Sequence, residues 1–513
     1  MKVDLRGAWP KQAGVVAGLL ALVVWQVLLF RMPWGETYPF RASSGMSEQD
    51  KFVYFLYYTN TFPIASTKNG LNYEFYYTKA PVARQPNTLE YSASAAQRVL
   101  RDEGKTLVME WGHALRSGQL LSAYLYLPDA WRLGSPQFAE VRMTHGALFV
   151  AGLASVYLMS WWVGLPVFGV VFVLLVGSNP FQLYEAYRHE NVFSWPITSF
   201  CFMLALALPL LAGKRMSVGY AAVAAVVAGV FAATANQIRP EPVMLLGGIV
   251  LALLGAGSLS WRARLLTVTL LMATAGLGLR AWDRYFDHKF DQAARIVSAA
   301  GGHVLSGTPH YHAFWHAIWG GLGDFDTTHG YVYSDAAALT YAQPVLKARF
   351  GQDLPWWWGV KGKEEHERTA DDYFDADRLY YRIPFRTPHY EDVMRDKVLG
   401  DIRHNPAWYA GILGRRVVAM LTNTTRPQIT LSPASRVPLP FSGLLVGPLA
   451  LAFCAFRRWT DLKILAFSFA LSLPVLLVHS GRGMTDYSVF HLCALALVAA
   501  AVADYARTYS IRG

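Results

Sequence analysis

The amino-acid sequence predicts an α-helical polytopic membrane protein, with about ten transmembrane helices and two large extracytoplasmic loops. Three observations carry this. Of the 513 residues 53% are hydrophobic and 14% aromatic while only 16% are charged, where soluble domains carry nearer a quarter, and the mean hydropathy is positive at +0.23. Apolar runs of near-spanning length recur along the chain. Basic residues collect at alternate ends of those runs.

The first run, Ala13 to Phe30, follows a short basic tail and is itself followed by Arg31-Met32-Pro33-Trp34 with no small-residue cleavage signal. It reads as a retained helix. Residues 31–140 form a Tyr-rich first outer loop with amphipathic helices, and within it Arg101 to Pro128 reads as a mixed polar and apolar helix carrying Asp102 and Glu103. Six runs follow in residues 141–281: Met143 to Ser160, Trp161 to Gly177, Phe193 to Ala212, Val218 to Ala235, Val243 to Gly257 and Leu265 to Ala281. Residues 282–440 form a second outer loop or domain, and residues 441–513 hold three last runs, Phe441 to Phe456, Ile464 to His479 and Tyr487 to Ala503, with a tail. The shorter run Trp408 to Leu421 carries Arg415-Arg416 in its middle and reads as an interfacial helix.

With the N terminus inside, the cytoplasmic side receives Lys2, Arg6, Lys11, Lys214, Arg215, Arg262, Arg264, Arg457, Arg458, Lys463, Arg507 and Arg512 against Asp4, Asp461 and Asp504. The net charge of +11 is therefore a topology signal, and it forms no long basic block that would suggest nucleic acid. Both long loops then face outward. Cys201, Cys454 and Cys493 all lie in apolar runs, which suits packing and not a disulfide framework or a cysteine metal cage.

Four polar clusters fall on that outer face. They are the Asp102-Glu103 pair, the short loop with Glu185, Arg188, His189 and Glu190, the tight turn Ile238-Arg239-Pro240-Glu241-Pro242, and the segment from His310 to Asp335. Carboxylates gathered with a fixed guanidinium in an outer cleft suit chemistry on a charged substrate, whereas each cluster alone suits a helix cap or interfacial ion pair. The last cluster holds His310, His312, His316 and His329 with Asp324, Asp326 and Asp335, and His312 and His316 stand at helix-face spacing. Three readings stay open there: a metal site, though without an HExxH pattern; a sugar-binding surface with Trp315 and Trp319 as stacking faces and His316 and Asp335 as polar partners; or a structural segment with Gly320 to Gly323 as a turn. Trp356 to Trp358 reads as interfacial belt and Lys361 to Asp377 as solvated loop.

The order of these motifs resembles the GT-C superfamily of integral membrane glycosyltransferases, which take sugar from a polyprenyl-phosphate carrier. Asp102-Glu103-Gly104 with Ala114 to Gly118 and Tyr124 to Pro128 is similar to the family's first-loop acidic motif, helix and following turn. Glu190-Asn191-Val192-Phe193 resembles an acidic residue that opens the family's fourth span, and Ile238 to Glu241 its turn between spans five and six. His404 to Tyr409 with Arg415-Arg416 resembles elements before a later interfacial helix. The family's acidic pair lies close after the first span, whereas about seventy extra residues precede Asp102, so Glu36, Glu48 or Asp50 also compete for that place.

The resemblance implies transfer of a hexose or pentose from a polyprenyl-phosphate-linked donor to a glycan, lipid or protein acceptor, among membrane lipids and without nucleic acid. It implies a bacterial inner membrane with the active site facing the periplasm or exterior. Asp102 or Glu103 would act as base, Glu190 would orient the acceptor or help hold a divalent metal such as Mg or Mn, and Arg239 would meet the leaving phosphate. Glu241, Arg188 and His189 would line the substrates there; the stretch from Trp282 to about Asp401 lies outside the resemblance, and Trp315, His316 and Asp335 are substrate-lining candidates from their residue types alone. No Gly-rich phosphate loop, Gly-x-Ser-x-Gly elbow or internal repeat is present. A flippase for a lipid-linked glycan and a noncatalytic membrane assembly protein are the rival expectations; against the first, the apolar runs contain no Asp or Glu.

Overall fold

The computed structural model describes residues 9–31, 65–67, 74–75, 106–109, 143–180, 183, 195–213, 217–238, 245–299, 303–304, 315–351, 389–422, 428–432, 435–478 and 485–510. Every apolar run coincides with a helix. These are α1 (Trp9–Phe30), α2 (Met143–Val163), α3 (Pro166–Ser178), α4 (Trp195–Leu211), α5 (Val218–Asn236), α6 (Leu246–Leu254) and α7 (Trp261–Ala299), and later α12 (Val446–Ala455), α13 (Trp459–Val478) and α14 (Thr485–Ser510). Five helices among the described residues are long and apolar enough to cross a membrane: those within α1, α2, α5, α7 and α14. Residues 166–178, 197–211 and 443–455 are shorter apolar helices.

Local chemistry explains several boundaries. The uninterrupted apolar stretch Met143 to Gly177 breaks in two because Gly164 takes a left-handed φ of 85° and Pro166 begins the next helix, where its missing N–H costs nothing. Ser217 caps α5 by accepting the Tyr220 N–H at 3.1 Å. Helix α7 runs on past Ala281, so the polar stretch expected from residue 282 begins inside a helix. After Ala281 the next glycine or proline is Gly301, so nothing stops the helix. Its 39 residues extend about 58 Å, roughly twice the hydrocarbon thickness. Trp282, Tyr285 and Phe286 pack together at this crossover, with ring centroids 5.5–5.8 Å apart.

The bundle shares one core, in which small and apolar side chains alternate: Phe149, Leu153, Phe168 and Phe172 of α2 and α3 meet Cys201, Leu204 and Leu208 of α4 and Cys493 and Leu497 of α14. Cys201 and Cys493 are packing residues as expected, but Cys454 is exposed on α12. Helices α5 and α7 pair closely, because Gly229 of α5 leaves room for the Leu271 carbonyl and the Ala275 N–H of α7, and Gly278 of α7 leaves room for the Ala233 side chain.

A second core lies outside the apolar runs. Helices α8 (Trp315–Leu322), α9 (Asp335–Phe350), α10 (Tyr390–His404) and α11 (Pro406–Thr422) enclose Trp319, Leu322, Tyr331, Leu339, Leu346, Tyr390, Met394, Val398, Trp408 and Ile412. Here water drives assembly, and each fully buried aliphatic side chain stabilises the unit by about 1.5–3 kcal/mol. Helix α9 starts at an N-cap Ser334 and stops at Gly351, whose φ of 67° closes the helix behind Lys347 and Arg349. Asn405 ends α10 and caps α11, accepting the Trp408 N–H at 3.0 Å, and Pro406 takes the first helical position.

The expected helix Trp408 to Leu421 is therefore present, and it packs on α10 and on α13. Trp408, Ile412, Arg416 and Met420 form its buried stripe. Arg416, 1% exposed, points inward with that stripe, whereas Arg415 on the other face sits 5.9 Å from the Phe325 ring.

Two small sheets complete the description. Strands β1 (Ala65–Thr67), β2 (Glu74–Phe75), β3 (Thr106–Met109) and β4 (His303–Val304) pair in the order β2-β1-β3-β4. The expected helix from Arg101 to Pro128 is thus overturned at residues 106–109. Thr-Leu-Val-Met after a glycine favours extended backbone, and β1 and β4 satisfy its peptide groups on both sides. The β3–β4 pair is parallel, Val108 opposite His303 and Met109 opposite Val304, and it joins the first long loop to the chain just beyond α7. A hairpin of β5 (Gln428–Ser432) and β6 (Ser435–Pro438) leads from α11 to the last helices.

Candidate functional site

Of the residues singled out from the sequence, the structure brings together His316 and Asp335. His316 sits in the first turn of α8 and Asp335 in the first turn of α9, and Asp335 Oδ1 lies 3.0 Å from His316 Nε2. The other imidazole nitrogen, Nδ1, lies 2.5 Å from the Tyr390 hydroxyl at the start of α10. Burial, with Glu391 and Asp335 nearby, holds the Tyr390 phenol well above its ordinary range. With the imidazole neutral and Asp335 ionised, the ring proton lies on Nε2 and donates to Asp335, and Nδ1 accepts from the Tyr390 phenol.

Helix α8 is held in register from the same side. Glu391 is buried and accepts the N–H groups of Trp315 at 2.7 Å and His316 at 3.4 Å, capping α8 from 76 residues away. Three helix starts thus meet at one point. Burial falls off along the hydrogen-bonded chain: Tyr390 is fully buried, His316 has 7% of its side chain exposed and Asp335 has 53%. Both ring nitrogens of His316 are taken by the protein, so Asp335 is the member that meets solvent.

A second network lies beside it and is structural. Asp326 accepts the N–H groups of Thr328 at 2.8 Å, His329 at 3.0 Å and Tyr331 at 2.7 Å, and the Trp408 indole N–H at 3.0 Å. Partial burial alone would push its carboxyl up, but these four donors outweigh that and hold it below the usual carboxylate value. Asp401 accepts from the Tyr331 hydroxyl and from Lys397, each at 2.7 Å, and Lys397 lies over the Tyr331 and Tyr341 rings. Asp326→Ala is expected to destabilise this unit by about 1–3 kcal/mol, because it strands several donors at once. Since its folded pKa is depressed, the Asp326 contribution is fully present above the ordinary carboxylate pKa of about 4 and is lost as pH falls through the depressed value. Acid unfolding curves should show a decline below that pH in the wild type, and the part due to Asp326 should be missing in the variant.

Several expectations from the sequence are corrected here. Trp319, expected to offer a stacking face, is 2% exposed and enclosed by the Tyr331 and Tyr341 rings at 4.6 and 4.9 Å, so no sugar can reach it. Gly320 and Gly321 belong to α8, and the turn begins only at Gly323. Trp315 stays half-buried at the helix start. Tyr390 and Glu391 were not signalled by the sequence reading; the acidic first turn Tyr390-Glu391-Asp392 marks a helix N-terminus but not the remote partner it serves.

Asp102, Glu103, Arg188, His189, Glu190, Arg239 and Glu241 lie outside the described residues, as do Glu36, Glu48, Asp50, His310, His312, Trp356 to Trp358 and Lys361 to Asp377. Their described neighbours are placed, however. Ile238 is buried with Ala235 against Leu148, Phe231 and Trp282, and the Trp282 indole donates to Thr234 at 3.2 Å, so the chain enters the Arg239 turn beside the crossover of α7. Strand β3, which follows Glu103, also contacts α7. Among the described residues no group of three His, Cys, Asp or Glu side chains is arranged to hold a metal ion.

The architecture defines an α-helical membrane protein that carries a folded helical unit between its apolar helices. No protein-family model, curated protein or solved structure matches the chain.

Proposed function

We propose that this protein is a membrane glycosyltransferase of GT-C type, with about ten spans, that transfers a sugar from a polyprenyl-phosphate donor to an acceptor on the outer face of a bacterial inner membrane. The observation that carries this reading is the chain of hydrogen bonds from buried Tyr390 and His316 to half-exposed Asp335, on a helical unit seated against the bundle through α8, α11 and α13. A carboxylate held in one orientation beside a membrane suits a hydroxyl acceptor and a donor whose lipid stays in the bilayer. The parallel β3–β4 pair supports it further, since it draws the two long loops to one side of the bundle.

In the reaction the acceptor oxygen bonds to the sugar anomeric carbon, the anomeric bond to phosphate breaks, and polyprenyl phosphate departs. A carboxylate takes the acceptor proton; Asp102 and Glu103 are the candidates, with Glu190 orienting the acceptor. Arg239 stabilises the leaving phosphate by bidentate pairing. Arg188, His189 and Glu241 are proposed to bind the substrates.

Purified full-length protein in liposomes, given a radiolabelled polyprenyl-phosphate sugar and membrane extract as acceptor source, should release polyprenyl phosphate and label the acceptor. Movement of intact donor across the bilayer without release would instead establish a flippase. Neither event, across hexose and pentose donors, would leave an assembly protein.

A further inference from the structure

Helix α11 touches the short turn of residues 443–445 that opens α12. At the other end of α12 the backbone takes a conformation that its sequence resists. Arg457 has a left-handed φ of 54°, and among the described residues every other residue with a positive φ is a glycine: Gly164, Gly213, Gly330 and Gly351. The turn closes α12 in the way usual for a glycine, with the Arg457 N–H donating to the Cys454 carbonyl at 3.1 Å and the Arg458 N–H to the Phe453 carbonyl at 2.8 Å. A side chain with a Cβ costs stability at this position, whereas glycine takes it freely. Strain of this kind persists where the side chain is needed for something other than the fold.

The two arginines of the turn are used differently. Arg458 is taken by carboxylates, pairing with Asp461 and, at 2.9 Å, with Asp504 of α14. Arg457 is exposed, and among the described residues no carboxylate pairs with it. It stands between Phe456, 78% exposed, and Trp459, 55% exposed. Lys463, also exposed, follows Trp459 by four residues and so shares its face of α13. The apolar surface of α12 leads to this point through exposed Leu451. Cations and aromatic rings at the end of an apolar helix belong where hydrocarbon gives way to headgroups. We infer that Arg457 and Lys463, with Phe456 and Trp459 beside them, form a binding surface for the headgroup of an anionic phospholipid. The phosphodiester meets the guanidinium, whose planar fork of N–H donors matches two phosphate oxygens, and the acyl chains lie along α12. A zwitterionic lipid brings no net charge to the two cations. Free phosphate brings the charge but leaves the aromatic and aliphatic side chains uncovered. This surface is independent of the outer site and of the transferase reading.

The test uses the purified full chain in an uncharged detergent, titrated with phosphatidylglycerol or phosphatidylcholine, with the lipid-bound fraction read by native mass spectrometry. The wild type should bind phosphatidylglycerol more tightly than phosphatidylcholine. Arg457→Gly and Lys463→Gln should each weaken phosphatidylglycerol binding about fivefold, the factor of one basic side chain at an anionic headgroup, and leave phosphatidylcholine binding unchanged. Arg457→Lys, which keeps the charge, should recover most of the loss. In lipid-free detergent the thermal midpoint of Arg457→Gly should rise, because glycine accepts the left-handed conformation. A variant that gains stability while losing a ligand has not lost it through damage to the fold.

Undiminished phosphatidylglycerol binding by Arg457→Gly overturns the proposal, whatever the midpoint does. A lowered midpoint overturns it too, since a damaged turn would then explain the loss. So does an equal loss from Arg262→Gln at the start of α7, which would make the affinity a property of basic residues in general. Displacement of the lipid by inorganic phosphate at matched concentration would make this an anion site and not a lipid site.

Discussion

Alanine at Asp102 or Glu103, whichever takes the acceptor proton, is expected to cut the rate of sugar transfer by about 10²–10⁴-fold, the usual contribution of a positioned general base. Donor affinity should hold, because the base acts on the acceptor. Arg239→Ala should lower transfer by about 10²–10³-fold, as expected when one charged donor is removed from the departing group. Glu190→Ala should act on the acceptor side and raise its KM. Each variant is measured for release of polyprenyl phosphate in liposomes, and full activity in all four would sink the assignment. Loss on alanine at Glu36, Glu48 or Asp50 with the Asp102-Glu103 pair silent would move the base to the earlier position.

Gly443→Ala is expected to have the largest effect on stability among substitutions of a single methyl group. Gly443 opens a short 3-10 turn at residues 443–445, between β6 and α12. A Cβ there would run into the Leu421 carbonyl oxygen at the end of α11 and approach the Leu421 carbonyl carbon and His491 Nε2 of α14, both at 2.6 Å. Two of these obstacles are backbone, so no rotamer change relieves them. Overpacking of this kind costs about 1–3 kcal/mol and sometimes more, and the strain would separate the end of α11 from α14. A lowered thermal midpoint in detergent and a poor yield of monodisperse protein are the expected results; an unchanged midpoint would show that the turn can move aside.

The two predictions fall on regions that the sequence made legible to different degrees. The apolar helices could be read directly, since continuous hydrophobic runs and Gly or Pro breaks have local causes: Gly164-Leu165-Pro166 divides α2 from α3 as such a break should. The length of α7 could not. The change from apolar to charged residues after Ala281 marks a change of surroundings and not of secondary structure, and a helix runs through it. Strand β3 escaped for another reason. Four residues of mixed propensity take their conformation from partners, and one of those, His303–Val304, lies almost two hundred residues away.

The site divides in the same way. His316 and Asp335 stood out by residue type and closeness in sequence, and the structure joins them at 3.0 Å. Tyr390 and Glu391, which fix them, lie more than fifty residues further along and carry no motif. Trp319 had the composition of a binding face, yet its place in the core depends on Tyr331 and Tyr341, which arrive from a loop and a neighbouring helix. Asp326 looked like a ligand and is a loop anchor, because backbone N–H groups two, three and five residues ahead turn back onto it.

The β3–β4 pairing also sets an order of assembly in time. Met109 pairs with Val304, so 304 − 109 = 195 residues separate the two, and at about 5–20 residues per second a ribosome needs roughly 10–40 s to supply the second strand. During that interval β1, β2 and β3 have emerged while one edge of β3 is unpaired, and they must wait for helices α2 to α7 to be synthesised. An edge of that kind is open to pairing with other chains. The first loop therefore completes its sheet late in synthesis, and truncation of the chain before His303 should leave that edge exposed to proteases or to aggregation.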